Sequence, residues 1–127
     1  MTDDPIDSEV FDKAGFIHRM MGDKELASEI MLEFLQDMER QIENLKDEST
    51  DAEFTVLVRL AHTIKGAAGN VGAKRMQKTA LHAEQAAAKG DRTSLVALLP
   101  KIEASFIELR HHLLSSNELN LGDALGT

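Results

Sequence analysis

Cysteine is absent from the 127 residues, which excludes a disulfide framework and any thiolate metal site and makes a reducing compartment the simplest setting. No apolar run approaches the roughly 18 to 20 residues that a membrane-spanning helix needs. The first nine residues are acidic, unlike a signal peptide. The expectation is a soluble, cytoplasmic protein that engages no membrane. No stretch alternates apolar and polar residues as a half-buried strand does, and no unit of roughly 20 to 50 residues recurs. P-loop, Gly-x-Ser-x-Gly and zinc-finger spacings are also missing.

A more local absence is that of acid. The formal charge of -8 argues against nucleic-acid binding, which wants a basic face. Yet no Asp or Glu occurs between Glu53 and Glu84, while Arg59, Lys65, Lys74, Arg75 and Lys78 do. Residues 54–83 therefore carry +5, leaving nine basic against 22 acidic residues, or -13, in the remainder. Such a segment suits a phosphate group or an acidic partner pocket. Lys74, Arg75 and Lys78 read equally well as solvated helix surface.

What is present is helical periodicity, at a length and a 43% hydrophobic content that allow one core and no second. Residues 1–7 read as a flexible N-terminus. Ser8 is placed to cap a short helix from Glu9 to about Met21, with Val10, Phe11, Ala14, Ile17 and Met21 on its apolar side and Gly22 as its stop. Asp23 then caps a long helix to about Lys46, with Leu26, Ile30, Phe34, Met38, Ile42 and Leu45 as its stripe. A third helix is predicted over 54–70 and a fourth over 73–89, rich in alanine that permits close helix approach. A last one runs over about 93–114, with Pro100 as a kink or as its true first turn. Residues 115–127 read as a flexible tail. The fold class that follows is all-α: an antiparallel up-down four-helix bundle over 8–114, with a short extra N-terminal helix.

One histidine stands apart. If residues 54–70 are helical, Gly66 and Gly69 lie four and seven positions on from His62, on its own face. Glycine costs roughly 1 kcal/mol relative to alanine inside a helix, so two of them here mark a surface where another backbone or a bulky group can come close. Lys65 and Arg59 flank the same face with positive charge, and Gly72 fits the left-handed position that ends a helix. Spacing alone is equally consistent with an ordinary surface histidine beside glycines that allow close helix packing.

The run His-x-x-Lys-Gly-Ala-Ala-x-Asn-Val-Gly-Ala, complete from His62 to Ala73, resembles the signature of histidine-containing phosphotransfer (HPt) domains. The likeness extends from about Val10 to Leu114, through Met21-Gly22-Asp23 and the turn from Ala87 through Lys89-Gly90-Asp91. It implies a four-helix bundle whose histidine accepts a phosphoryl group from a receiver-domain aspartate or a sensor kinase and passes it to a response-regulator aspartate. By that resemblance His62 matches the phosphorylated histidine, Lys65 the lysine that neutralises phosphoryl charge, and Gly66 and Gly69 the small residues of the docking face, with Arg59 beside them. Glu84 matches the position that orients the histidine ring, and is also readable as an ordinary surface carboxylate. The nucleophile must be neutral imidazole, the predominant form at neutral pH of an ordinary histidine with pKa about 6.5. No cofactor of its own is implied. Mg²⁺ is expected from the receiver partner, because the segment has no carboxylate cluster to hold a hard cation. The expected protein is a monomeric phosphohistidine carrier without autonomous kinase activity.

Two other function classes fit the residues. One is a non-phosphorylated helical adaptor docking partners through the face around Gly66 and Gly69. The other is a metal-binding bundle built on Glu108-x-x-His111, a unit that a di-metal site needs twice and that occurs here once. His18, His82, His111 and His112 are the remaining histidines, and none has a comparable setting.

Overall fold

A computed structural model describes residues 9–116 and 119–121, and among them five helices and no strand. They are α1 (Lys13–Arg19), α2 (Lys24–Glu48), α3 (Phe54–Asn70), α4 (Lys74–Ala88) and α5 (Arg92–Ser116). α3 packs against α2 and α4, α5 against α4 and α2, and α1 leans on α2. The connections within this ring are short, so consecutive helices run antiparallel and the bundle is up-down.

The α2 stripe is Ala27, Met31, Phe34, Leu35, Met38, Ile42 and Leu45, all buried, and the Asp23 carboxylate accepts from Leu26 N at 3.0 Å to cap its start. Leu26, expected in the stripe, is instead exposed; Ala27 is about 100° further round and takes the inward position. α3 contributes Leu57, Ala61, Ile64 and Ala68, and α4 contributes Met76, Ala80, Ala83, Ala86 and Ala87. α5 is one helix through Pro100, which is exposed and is neither the helix start nor its end. Leu95, Leu99 and Ile102 are buried on both sides of the proline and keep the two halves docked.

The N-terminal segment differs from the continuous helix expected from Glu9 to Met21. It breaks at Phe11 and Asp12, and Asp12, not Ser8, caps α1 by accepting from Gly15 N at 3.1 Å. Ser8 and residues 1–7 lie outside the described residues. The break lets Val10, Phe11 and Phe16 all be buried, which one straight helix would not. It also lets Asp12 N donate to Gly72 O at 2.8 Å. At the other end, Ser115 and Ser116 remain helical, and Leu119 and Leu121 are buried in the core cluster. Ser28 Oγ donates to Leu119 O at 2.7 Å. Those two leucines, expected in a loose tail, each bury apolar surface worth about 1.5–3 kcal/mol. Residues 117–118 and 122–127 lie outside the described residues.

The helix ends are tied by side chains. The Arg19 guanidinium donates to Gly69 O and Asn70 O, satisfying the last carbonyls of α3. Arg92 donates to Ser49 O and, at 2.8 Å, to Ala52 O in the α2–α3 connection, and stacks 4.7 Å above the Phe54 ring. Gly72 ends α3 with φ +78, while Ala73 N donates back to Ala68 O at 2.9 Å. A Cβ at Gly72 would lie 2.9 Å from Asp12 O. Gly72→Ala is therefore expected to lose about 1–3 kcal/mol of unfolding free energy in urea titration, from strain and from the displaced N-terminal segment. Gly66→Ala, whose new methyl meets nothing within 4 Å, should instead hold or gain up to about 1 kcal/mol in the same measurement.

Candidate functional site

The inward residues of α3 and α4 are small where the two helices meet: Ala61 and Ala68 on one, Ala80, Ala83 and Ala87 on the other. His62 follows Ala61 and Glu84 follows Ala83, so each polar side chain emerges about 100° from the alanine seam, at its rim. There they meet, with His62 Nδ1 2.8 Å from Glu84 Oε2. Lys65, one turn along α3, brings Nζ to 2.7 Å from Glu84 Oε1. Oε1 is buried and has no hydrogen bond of favourable angle, so charge holds this second contact. The His62 side chain is 63% exposed, against 18% for Glu84 and 25% for Lys65. The carboxylate and ammonium are thus partly sheltered, and the ring is displayed.

Glu84 is held below the ordinary carboxylate range, first by the Lys65 ammonium; partial burial works the other way, and the His62 contact adds to the lowering. An ionised carboxylate only accepts, so Nδ1 is the donor and the ring's lone pair resides on Nε2. Lys65 is therefore not a lone cation beside the histidine, as spacing suggests, but one arm of a His62–Glu84–Lys65 triad. That triad was half legible in the sequence: of the two acids that bound the acid-free segment, Glu84 is the one that α4 turns onto His62.

The two glycines differ. A Cβ on Gly66 would meet nothing within 4 Å, so this part of the face is open. A Cβ on Gly69 would lie 2.6 Å from the Gln77 side-chain nitrogen, so Gly69 is covered by Gln77 and is not bare as its position predicts. Gln77 is a neighbour that no local spacing reveals. Arg59 is exposed and lines a shallow groove with Asn44 and Glu48 on the α2 side, while His62 meets α4. The structure brings together His62, Lys65 and Glu84; Arg59 remains one helical turn away.

The basic segment is largely engaged. Besides Lys65, Lys74 pairs with Asp12 at 3.6 Å, and Arg75 with Glu108 at 2.7 Å and Glu9 at 3.2 Å. Among the described residues no carboxylate lies within ion-pair distance of Arg59 or Lys78. Arg75 Nη1 donates to both oxygens of Glu108, so the carboxylate proposed with His111 as a metal arm is committed to an arginine. His111 Nε2 faces Ser115 Oγ at 3.4 Å, and the His112 ring is edge-on to Phe11 with centroids 6.2 Å apart. No helix among the described residues is long and apolar enough to cross a membrane.

The Glu84 shift has a stability consequence. Because the folded-state pKa is lowered from 4.5, its contribution is present above that value and is lost as pH falls through the lower folded pKa. Glu84→Gln should therefore be less stable than the parent at pH 7, and the gap should close in acid. Urea unfolding at a series of pH values from about 7 to 3 checks this, and a gap independent of pH would contradict it.

Comparison with known proteins agrees with this geometry. The family described as Hpt domain matches residues 29–113. A histidine-containing phosphotransfer protein of maize shares the fold with a TM-score of 0.74 at 21% identity, over 88% of this chain and 83% of that one. A rice protein assigned to the same class gives a TM-score of 0.66 at 22% identity, over 72% of this chain and 67% of that one. At these identities the structural likeness establishes the fold. No curated protein matches the sequence at a significant level. The matched segment contains α3, α4 and the whole triad, and the chain belongs to the Hpt domain family, the histidine phosphotransfer carriers of two-component phosphorelays.

Proposed function

We propose that His62 is the phosphoryl acceptor, with Nε2 as the attacking atom. The observation that supports this most is the 2.8 Å contact between Nδ1 and Glu84, which fixes one tautomer and leaves the nucleophilic nitrogen on the exposed side of the ring. In the forward step the Nε2 lone pair forms the N–P bond as the P–O bond to the donor aspartate breaks, and the aspartate leaves as a carboxylate. Nδ1 keeps its proton, and the positive charge on the phosphorylated ring is offset by Glu84. Transfer to a response-regulator aspartate is the reverse reaction with a different carboxylate. No separate general base is needed, because in the neutral ring with its proton on Nδ1 the attacking nitrogen carries a free lone pair.

Phosphoryl transfer depends mainly on positioning and on cations around the phosphoryl oxygens. Lys65 is the nearest candidate. Its ammonium is held by Glu84 at the foot of the ring, and the site thereby presents one cation already oriented. Mg²⁺ would come from the receiver partner, whose aspartate site needs it; α3 supplies no carboxylate cluster that could hold it. Gly66 leaves room for the partner backbone, with Arg59 at the edge of the contact. On this reading the chain is a monomeric cytoplasmic carrier, phosphorylated by a sensor or hybrid kinase or by its receiver domain, with no kinase activity of its own.

Two variants test these roles. His62→Gln should abolish acid-labile, alkali-stable labelling by a phosphorylated receiver domain. Persistence of that label would remove His62 from the reaction, and unchanged biological output without it would favour an adaptor role instead. Lys65→Ala should keep the helical content and slow transfer by about one to two orders of magnitude in a quench-flow assay. A rate equal to the parent's would make Lys65 a partner of Glu84 and nothing more.

A further inference from the structure

In the ring of helices, His62 and Glu84 lie at the α3/α4 seam, and the α2/α5 seam is diagonally across the bundle. That far seam carries a groove over a packed floor, Ile42 and Phe106 being 5% and 6% exposed. Ile42 and Phe106 form an apolar floor for a groove of about 270 Å³, and Ile107 projects beside them with 64% of its surface exposed. Glu39, Glu43 and Glu103 edge the groove. Lys46 reaches across the two helices to Glu43 and Glu103 at 3.6 and 3.3 Å, whereas Glu39 has no cation within ion-pair distance among the described residues. α2 as a whole bears eight carboxylates against the three cations Lys24, Arg40 and Lys46.

These features select an occupant. Ile107, projecting beside a groove and rimmed by charge, is an apolar anchor point of the kind a partner's side chains can surround. Two antiparallel helices form a straight trough, which a third helix fills by laying its apolar face into it. The acidic rim calls for positive charge on that helix. A second copy of this chain is disfavoured, because a two-fold contact would set Glu39, Glu43 and Glu103 against themselves. We propose that the α2/α5 groove docks a cationic amphipathic helix of a partner protein. The partner's apolar residues pack around Ile107 at the groove, and its Lys or Arg side chains face Glu39 first, with Glu43 and Glu103 shared with Lys46. Because the groove and the α3/α4 seam occupy opposite sides of the bundle, this partner and a phosphotransfer partner bind at the same time.

The probe is a fluorescent peptide of about 18 residues, with leucine at helical i, i+3, i+4, i+7 spacing and lysine elsewhere, titrated into the full chain at physiological salt. Saturable binding is expected, with backbone amide shifts confined to residues near 39–46 and 103–110. Ile107→Ser and Glu39→Lys, both at exposed positions, should each weaken it about fivefold or more, while Ile107→Ser accepts the phosphoryl group at the parental rate. A matched peptide with glutamate in place of lysine should not bind. Equal affinity for parent and both variants, shifts elsewhere on the acidic surface, or equal binding of the glutamate peptide would overturn the proposal. So would a concentration-dependent dimer in sedimentation that Ile107→Ser abolishes, which would give the groove to a second copy.

Discussion

Close approach of α3 and α4 is the constraint on which the site depends. Buried alanines lie on both helices, Ala61 and Ala68 on α3 and Ala80, Ala83, Ala86 and Ala87 on α4, and small residues at a crossing set the interaxial distance toward the short end of its range. His62 and Glu84 each follow one of those alanines. Their reach is short: a histidine and a glutamate on adjacent helices meet at 2.8 Å only if the backbones come near. A bulkier inward residue would keep the bundle apolar inside and still part the two side chains. Packing and chemistry are here one requirement, expressed on successive residues.

The polar network around the helix ends has a related effect on charge. Arg19 satisfies carbonyls at the end of α3, Arg92 those of the α2–α3 connection, and Arg75 joins α4 to α5 and to Glu9. These are structural uses of positive charge, and within residues 54–83 the pairing of Arg75 with Glu108 and Glu9 and of Lys74 with Asp12 draws down what a count along the chain shows as a +5 segment. The charge near His62 is consequently local and specific. Lys65 is neutralised by Glu84 in the resting site, and that pairing orients the ammonium without leaving a bare cation cluster on the surface.

The two diagonal seams of the bundle have opposite characters. At α3/α4 the surface is cut back to Gly66 and bears a histidine; at α2/α5 it protrudes as Ile107 between carboxylates. A four-helix ring separates such surfaces by its full width, which keeps contacts on one from obstructing the other.

Helix positions from α2 onward were legible because each of these helices announces its inward stripe. Asp23 capped α2 as its residue type and position suggest, and α3 spans 54–70 as its pattern predicts. His62 was legible from Gly66, from the missing acids and from the completed motif. The exceptions share one cause. The break at Asp12, whose N–H donates to Gly72 O, and the burial of Leu119 and Leu121 depend on where distant segments land, and Gln77 over Gly69 depends on how α4 folds back on α3; local periodicity holds no information about either. Glu84 lies between the two groups: the sequence alone marked it as a candidate partner, and only the packing of α4 on α3 decided that its two oxygens divide between His62 and Lys65. By itself the sequence determined the helices from α2 onward and marked His62 as the candidate residue, since those depend on neighbours within a turn and on one contiguous motif. Tertiary structure decided the tautomer of the ring and the partner of its lysine, because both are set by a carboxylate twenty-two residues away that only a close helix contact can deliver.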